Sequence, residues 1–106
     1  MAERFVDSKI KPGKVTVFIK RECPYCVRAL EILQQYRFKP EGFEVLSVND
    51  QNDTEKIMQC LLEKTGQRTV PRIFFGNNCI GGCSELSILE SNGKLDQTLQ
   101  TLGALQ

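Results

Sequence analysis

The pattern of apolar and polar positions divides the first half of the chain into strand, helix and strand. Residues 14–20 carry apolar side chains on both faces and are rich in β-branched types, which is typical of a central strand covered on two sides. Residues 24–36 place apolar side chains on one helical stripe, and Pro40 follows as a helix breaker. Residues 43–48 indicate a second strand, which a right-handed crossover would make parallel to the first. This half therefore predicts a βαβ unit.

A further helix is predicted after this unit. Asn52 and Glu55 have the spacing of a capping box, and the helix that they open is expected to end at Gly66. Its apolar positions recur with helical spacing, so one face should be buried. The side chains expected to face inward are Ile57, Met58, Cys60, Leu61 and Leu62.

The remaining segments predict a hairpin and three short helices. Residues 73–75 and 79–80 flank a Gly-Asn-Asn turn, which indicates an antiparallel hairpin. Ser84 is a candidate cap for the helix that follows, and leucines at helical spacing mark a last helix near the C-terminus. Residues 2–10 predict an amphipathic helix that covers the sheet. The whole pattern predicts an α/β fold with helices on both faces of one four-stranded mixed sheet, in a single domain over residues 1–106.

Composition and charge narrow the class of protein. The chain has 106 residues, of which 41% are hydrophobic and 25% charged, and its formal net charge is +1. This is an ordinary globular balance, so neither nucleic acid nor a membrane surface is an expected partner. The first residues contain no apolar segment like that of a signal peptide, and no run approaches the length that spans a bilayer. A cytoplasmic protein is therefore expected.

Cysteine and histidine usage bounds the chemistry further. The chain contains five cysteines and no histidine. Without histidine, Cys-His hydrolase chemistry is excluded, so a nucleophilic cysteine would have to be activated by cations or by a helix dipole. Because cytosolic disulfides are usually transient and catalytic, the cysteines point to a working redox pair.

That pair is predicted in the segment Cys23-Pro24-Tyr25-Cys26, where the first strand becomes a helix. The Cys-x-x-Cys spacing near a βαβ unit is typical of a thiol-disulfide site. Cys23 should stand at the helix N-terminus, where the partial positive charge and unpaired N–H groups favour a thiolate, and Pro24 suits the first helical position. Cys23 is therefore the expected nucleophile, with Cys26 one turn into the helix and Tyr25 beside the reactive sulfur.

The motif has two other possible interpretations. A zinc site would need about four ligands, but the chain offers neither histidine nor a second Cys-x-x-Cys. Cysteines that only pack in the core are more common than zinc sites, but the strand-turn-helix context favours a reactive pair.

With three separated motifs in order, the chain resembles the dithiol glutaredoxins, or thioltransferases, of the vertebrate cytosolic type. The motifs are Lys20 ahead of Cys23-Pro24-Tyr25-Cys26, then Thr69-Val70-Pro71, then Gly81-Gly82-Cys83-Ser84-Glu85. The resemblance runs nearly end to end. It implies a thioredoxin-like fold and a glutathione-dependent oxidoreductase that reduces protein-glutathione mixed disulfides and some protein disulfides.

The resemblance also implies a set of partners and site residues. Glutathione is the expected co-substrate, with no metal; glutathionylated proteins and, as a further candidate, ribonucleotide reductase are the expected substrates of a monomer. Ser84 N–H and Glu85 are assigned to the γ-glutamyl carboxylate and ammonium, and Lys20 and Arg68 to the glycyl carboxylate. The full set of residues assigned to glutathione is Lys20, Tyr25, Arg68, Thr69, Val70, Pro71, Gly82, Cys83, Ser84 and Glu85.

Several points stay open on the sequence alone. The Val70-Pro71 bond could be cis, as the resemblance implies, or an ordinary trans bond at the start of a strand. Arg21 and Glu22 beside Cys23 have opposite effects on a thiolate. Rival functions are a thioredoxin-type reductase served by a flavoprotein, and a dimer that binds an iron-sulfur cluster, against which the proline of the motif argues.

The other cysteines carry a separate hypothesis. Cys60 is expected to be a packing residue. Cys79 and Cys83 lie beyond the hairpin, and if exposed they could oxidise, pair or be glutathionylated, whereas burial would make them inert.

Overall fold

The computed structural model describes residues 2–106 as one sheet surrounded by helices. Its helices and strands, in chain order, are α1 (Ala2–Lys9), β1 (Val15–Ile19), α2 (Pro24–Leu33), β2 (Phe43–Ser47), a 3-10 turn (Val48–Asp50), α3 (Thr54–Thr65), β3 (Arg72–Phe75), β4 (Asn78–Gly81), α4 (Cys83–Ser91) and α5 (Leu95–Leu102). Every predicted element is present, so the sequence pattern identified the order of helices and strands correctly.

The sheet has the strand order β2-β1-β3-β4. Strand β1 pairs parallel with β2, Val17 lying opposite Val45, and antiparallel with β3, where Val17 lies opposite Ile73. Strands β3 and β4 form the predicted antiparallel hairpin. The mixed four-stranded sheet and its βαβ unit are therefore confirmed.

Alternation along β1 separates two hydrophobic cores. Val15 and Val17 pack with residues of α2, α4 and α5 on one face. Phe18 points the other way, into a cluster with residues of α1 and α3. All three side chains are fully buried, and burying an apolar side chain of this size contributes roughly 1.5 to 3 kcal/mol. Helices on both faces thus hold β1, and the loop that leaves it, in a fixed position.

The end of α2 differs from the prediction. This helix ends at Leu33 rather than at residue 36, because Tyr36 N–H donates to the Leu33 carbonyl in a tighter turn. The chain then runs toward the C-terminus, where Lys39 N–H donates to the Ala104 carbonyl over 2.8 Å. The contact with the C-terminal segment, which is remote in sequence, draws the chain out of the helix.

Two predicted helix caps are wrong. Asp53, not Asn52, precedes α3, and its side chain makes no capping hydrogen bond; Thr54 Oγ1 instead donates to the Val48 carbonyl over 2.8 Å. Helix α4 begins at Cys83 and its N-cap is Gly82, so Ser84 lies inside the first turn. The predicted end of α3 at the left-handed Gly66 is confirmed.

Burial along α3 follows the prediction at four of five positions, Ile57, Met58, Cys60 and Leu61 being buried and Leu62 half-buried.

Across residues 2–106, no helix is long and apolar enough to cross a bilayer.

Candidate active site

The two cysteines of the motif lie at the N-terminus of α2, as predicted. Cys23 is the N-cap residue, with extended backbone angles, and Pro24 is the first residue of the helix. The two sulfurs are joined in a disulfide, with 5.2 Å between the Cα atoms. Cys26 N–H also donates to Cys23 Sγ over 3.2 Å. The helix therefore holds Cys23 sulfur against its own unpaired N–H groups, where negative charge on sulfur is stabilised.

The two sulfurs differ in access. Cys23 is half-buried, whereas Cys26, in the first turn of α2, is only 2% exposed. An incoming thiolate or disulfide can reach Cys23 but not Cys26. This difference supports Cys23 as the nucleophile and Cys26 as the residue that attacks from within the protein.

The segment between β1 and Cys23 is anchored away from the sulfur. Arg21 N–H donates to Asn49 Oδ1 over 2.7 Å, and the guanidinium of Arg21 pairs with Asp50 at 3.3 Å. Glu22 has φ +58°, a left-handed conformation uncommon for a residue with a side chain. Because Arg21 pairs with Asp50, the guanidinium charge that would support a thiolate on Cys23 is partly offset.

The loop before β3 faces the disulfide. The Val70-Pro71 peptide bond is cis, as the resemblance implied. The carbonyl oxygen of Val70 lies 3.9 Å from Cys23 Sγ. The backbone of this loop therefore borders the position at which any group bonded to Cys23 would lie.

An open cleft of about 320 Å³ connects this loop with the start of α4 and is called the inner cleft here. Seven of the ten residues assigned to glutathione line it, joined by one that was not assigned. The lining residues are Tyr25, Thr69, Val70, Pro71, Arg72, Cys83, Ser84 and Glu85. A second cleft of about 520 Å³, the outer cleft, shares Arg72, Ser84 and Glu85 with it.

The start of α4 presents both N–H donors and a carboxylate to these clefts. Gly82 N–H donates to Glu85 Oε1 over 2.7 Å. The pKa of Glu85 is held below its usual value. The largest cause is this backbone hydrogen bond, followed by the N–H of Glu85 itself and then by the charge of Arg72. Glu85 is therefore ionised at neutral pH and can attract a cation.

Three assigned residues lie outside the lining of the inner cleft. Gly82 is buried directly behind it, against Pro71 and Arg72. Lys20 is half-buried just after β1. Arg68 is exposed and forms an ion pair with Glu55 of α3. An anion that binds Arg68 would therefore compete with Glu55.

Sequence reasoning missed Arg72, the first residue of β3. It is 8% exposed, and its Nε donates to the Pro71 carbonyl over 3.1 Å.

The remaining cysteines are separate from the disulfide. Cys60 is buried, and burial raises the pKa of its thiol, so packing is its role as expected. Cys83 is buried as well, which removes the exposure that its oxidation hypothesis required, and Cys79 is half-buried. In the part of the chain that the structure describes, no group of three or more His, Cys, Asp or Glu could hold a metal ion.

Comparisons with known proteins agree with this geometry. The Glutaredoxin family model matches residues 15–80. Glutaredoxin-1 of Homo sapiens is 51% identical over 106 residues, covering 100% of both chains, and that of Rattus norvegicus is 49% identical over 106 residues, covering 100% of this chain and 99% of its own.

Solved structures give the same result. A buckwheat glutaredoxin-glutathione complex superimposes with a TM-score of 0.90 at 31% identity, covering 100% of this chain and 94% of that one. Oxidized glutaredoxin 2 from Chlamydomonas reinhardtii gives a TM-score of 0.86 at 34% identity, covering 98% and 95%. The paired cysteines, the thioredoxin-like fold and these similarities together place the chain in the glutaredoxin family of glutathione-dependent thiol-disulfide oxidoreductases.

Proposed function

We propose that this glutaredoxin removes glutathione from protein-glutathione mixed disulfides through Cys23 alone, and reduces some protein disulfides through Cys23 and Cys26 together. The observation that carries the proposal is the unequal access of the two bonded sulfurs, one half-buried at a helix N-terminus and one enclosed. Only the accessible sulfur of Cys23 can exchange with a partner. The enclosed sulfur of Cys26 lies beside it and can displace that partner from Cys23.

In the monothiol route, Cys23 thiolate attacks the glutathione sulfur of the mixed disulfide. A bond forms between Cys23 and glutathione, and the protein substrate leaves as a thiolate. The thiolate of a second glutathione then attacks the bound glutathione sulfur. Glutathione disulfide is released, and Cys23 thiolate is regenerated at the N-terminus of α2, where the helix stabilises it.

In the dithiol route, Cys23 thiolate attacks a disulfide within a protein substrate and bonds to one of its sulfurs, while the other sulfur leaves as a thiolate on the same substrate. Cys26 thiolate then attacks Cys23 sulfur, which releases the reduced substrate and forms the Cys23-Cys26 disulfide. Two molecules of glutathione return this disulfide to the dithiol. The first displaces Cys26 thiolate and bonds to the accessible sulfur of Cys23, and the second attacks that bound glutathione sulfur and leaves with it as glutathione disulfide. The oxidised state of this cycle is the one with the two sulfurs joined.

Glutathione is proposed to lie along the inner cleft with its cysteine against Val70. An extended peptide there can exchange backbone hydrogen bonds with Val70, as an added strand does. Its γ-glutamyl end would reach the start of α4, where N–H groups favour the carboxylate and Glu85 the ammonium. Tyr25, Thr69 and Cys83 would flank the bound peptide, with Gly82 behind it.

The glycyl carboxylate is proposed to interact with Lys20 and Arg68. The contact with Arg68 would be weak, since Arg68 is exposed and already paired with Glu55, and exposed ion pairs contribute about 0 to 1 kcal/mol. Most of the affinity for glutathione is therefore assigned to the loop before β3 and the start of α4.

We further propose that the chain works as a monomeric single domain over residues 1–106 in the cytoplasm. Glutathionylated proteins would be its main substrates, with ribonucleotide reductase as a candidate for the dithiol route. Three unpaired cysteines, Cys60, Cys79 and Cys83, support a reducing compartment.

The experiment that tests this function compares electron donors on one glutathionylated cysteine peptide. Glutathione with glutathione reductase is expected to sustain turnover, whereas a thioredoxin reductase with NADPH is not. Turnover with thioredoxin reductase alone would contradict the glutathione-dependent route and favour the thioredoxin-type alternative. A brown protein with absorbance above 400 nm would be expected, in contrast, from the iron-sulfur alternative, since such clusters absorb visible light.

Replacing Glu85 by glutamine should raise the KM for glutathione about threefold to tenfold, because a charged contact at a partly exposed position is lost. The kcat should change little, since the proposed contact of Glu85 is with the γ-glutamyl ammonium and not with the sulfur that reacts. Steady-state kinetics with varied glutathione measure both constants. Glu31→Gln is the matched control, because Glu31 is an exposed residue of α2 whose side chain forms no ion pair within residues 2–106. Equal KM values in the two variants would show that Glu85 does not contact glutathione.

A further inference from the structure

Arg72 is a buried cation without a matching anion. Its side chain is 8% exposed, and its one hydrogen bond runs from Nε to the Pro71 carbonyl. Within residues 2–106 its guanidinium forms no ion pair. Buried charges in proteins are normally paired, because removing a charge from water is costly. The remaining donors of this guanidinium therefore need an explanation.

The residue that carries those donors borders both clefts. Arg72 lines both the inner and the outer cleft, and its Nη2 lies against Gly82, 2.8 Å from where a Cβ would stand on that glycine. The η nitrogens also lack a partner, yet they are not fully enclosed: among the described residues, Ser47 Oγ is the one fully enclosed side-chain nitrogen or oxygen without a hydrogen-bond partner. The η nitrogens of Arg72 are thus reachable from the clefts, although the side chain as a whole is buried.

The surroundings of this guanidinium are electrically divided. Gly82 is the N-cap of α4, so Arg72 lies beside the positive end of a nine-residue helix, where a cation is unfavourable and an anion is favoured. Glu85 lines the same clefts, and the charge of Arg72 helps to lower the pKa of its carboxyl, but the two side chains form no direct ion pair and one Glu85 oxygen accepts from Gly82 N–H. Where the two clefts meet, Arg72 and the N-terminus of α4 are positive and Glu85 is negative. This arrangement is complementary to a zwitterion.

We propose that Arg72 is a specificity-determining residue, which donates hydrogen bonds to the α-carboxylate of the γ-glutamyl residue of glutathione while Glu85 receives the ammonium. The inference rests on the proposed placement of glutathione along the inner cleft. A guanidinium can bind a carboxylate through two parallel N–H bonds, which fixes its orientation as a lysine ammonium would not. Arg72 would then help this protein select glutathione over thiols that lack the γ-glutamyl α-carboxylate.

The test measures discrimination between two substrates that differ only in this carboxylate. One peptide is linked by a disulfide either to glutathione or to γ-aminobutyryl-cysteinyl-glycine, which has hydrogen in place of the α-carboxylate. The second-order rate constant of peptide release by the reduced full-length protein is measured for each. Wild-type protein should prefer the glutathione disulfide, and Arg72→Met should reduce the preference about tenfold or more, the usual effect of losing a charged hydrogen bond.

Two further variants separate recognition from stability. Arg72→Lys keeps the charge but not the fork, so an intermediate preference is expected from a less perturbed protein. Arg37→Met removes an exposed arginine beyond the far end of α2, and should leave the preference unchanged. Circular dichroism and thermal melting establish which variants are folded at the assay temperature, and Arg72→Lys provides the comparison if Arg72→Met is not.

The outcomes are distinct. If both rate constants fall equally in the Arg72 variants and the preference survives, Arg72 has only a structural role and the inference is overturned. If wild-type protein shows no preference, the placement of the γ-glutamyl end is wrong and the inference fails with it. Turnover with glutathione and glutathione reductase would still support the glutathione-dependent reaction in either case.

Discussion

Replacing Cys23 by serine should abolish all activity, whereas Cys26→Ser should retain or increase the removal of glutathione from proteins. The hydroxyl of serine is a far weaker nucleophile than a thiolate, so the first step fails without Cys23. Without Cys26, glutathione itself can resolve the mixed disulfide on Cys23, and no Cys23-Cys26 disulfide forms to withdraw enzyme from the cycle. Reduction of disulfides within proteins should fall strongly in Cys26→Ser, because no sulfur nearby displaces the covalently bound substrate.

The measurement uses a glutathionylated peptide and a peptide with an internal disulfide in parallel. Cys79→Ser is the matched control, because Cys79 is a half-buried thiol outside the redox pair, and both of its activities should be unchanged. If Cys26→Ser loses deglutathionylation as completely as Cys23→Ser, the monothiol route is not the mechanism of this protein.

Alkylation of the reduced protein provides an independent check. Cys23 should react with iodoacetamide at mildly acidic pH, where an ordinary thiol with a pKa of about 8.5 reacts slowly. Cys26, which is 2% exposed, should be protected. Equal modification of both, measured by mass spectrometry of the peptides, would contradict the assignment of roles.

The strands and the redox pair could be predicted because each is marked by residues close together in the sequence. An apolar run rich in β-branched side chains identifies β1, and the crossover rule fixes the direction of β2. The position of Cys23 at the start of α2 follows from the strand-turn-helix order and from Pro24. These signals are local, so contacts elsewhere in the fold did not alter them.

The helix ends and the buried cation depend on contacts remote in sequence. Helix α2 ends at Leu33 because the following residues turn toward the C-terminal segment, and neither stretch alone carries that information. Ser84 was the predicted cap of α4, but Gly82 occupies the capping position, where its N–H binds the Glu85 carboxylate. Arg72 was missed because its burial results from the packing of the β3 loop against α4.

That packing also makes Gly82 sensitive to substitution. Gly82 lies where the loop before β3 meets the start of α4, the two sides of the inner cleft. A Cβ added to Gly82 would stand 2.8 Å from Arg72 Nη2 and 3.0 Å from the Pro71 carbonyl oxygen. Its backbone angles, φ −119° and ψ −151°, are accessible to alanine, so the effect of Gly82→Ala would be steric rather than conformational.

Gly82→Ala should therefore lower kcat/KM for a glutathionylated peptide about 10- to 100-fold, because a displacement of roughly 1 Å in positioning groups can cost about that much. It should also lower the free energy of unfolding by about 1 to 3 kcal/mol, as overpacking usually does. Urea denaturation and steady-state kinetics measure the two effects separately.

Gly42→Ala separates loss of activity from loss of stability. A Cβ on Gly42 would stand 2.7 Å from the Ala104 carbonyl oxygen and 3.1 Å from that of Lys39, a comparable clash in a segment that lines neither cleft. Its free energy of unfolding should fall by a similar amount while kcat/KM stays near the wild-type value at temperatures where the protein is folded. Activity lost equally in both variants would trace the effect to unfolding. A kcat/KM within twofold of wild type in Gly82→Ala would show that the close contact between the β3 loop and α4 does not shape the site.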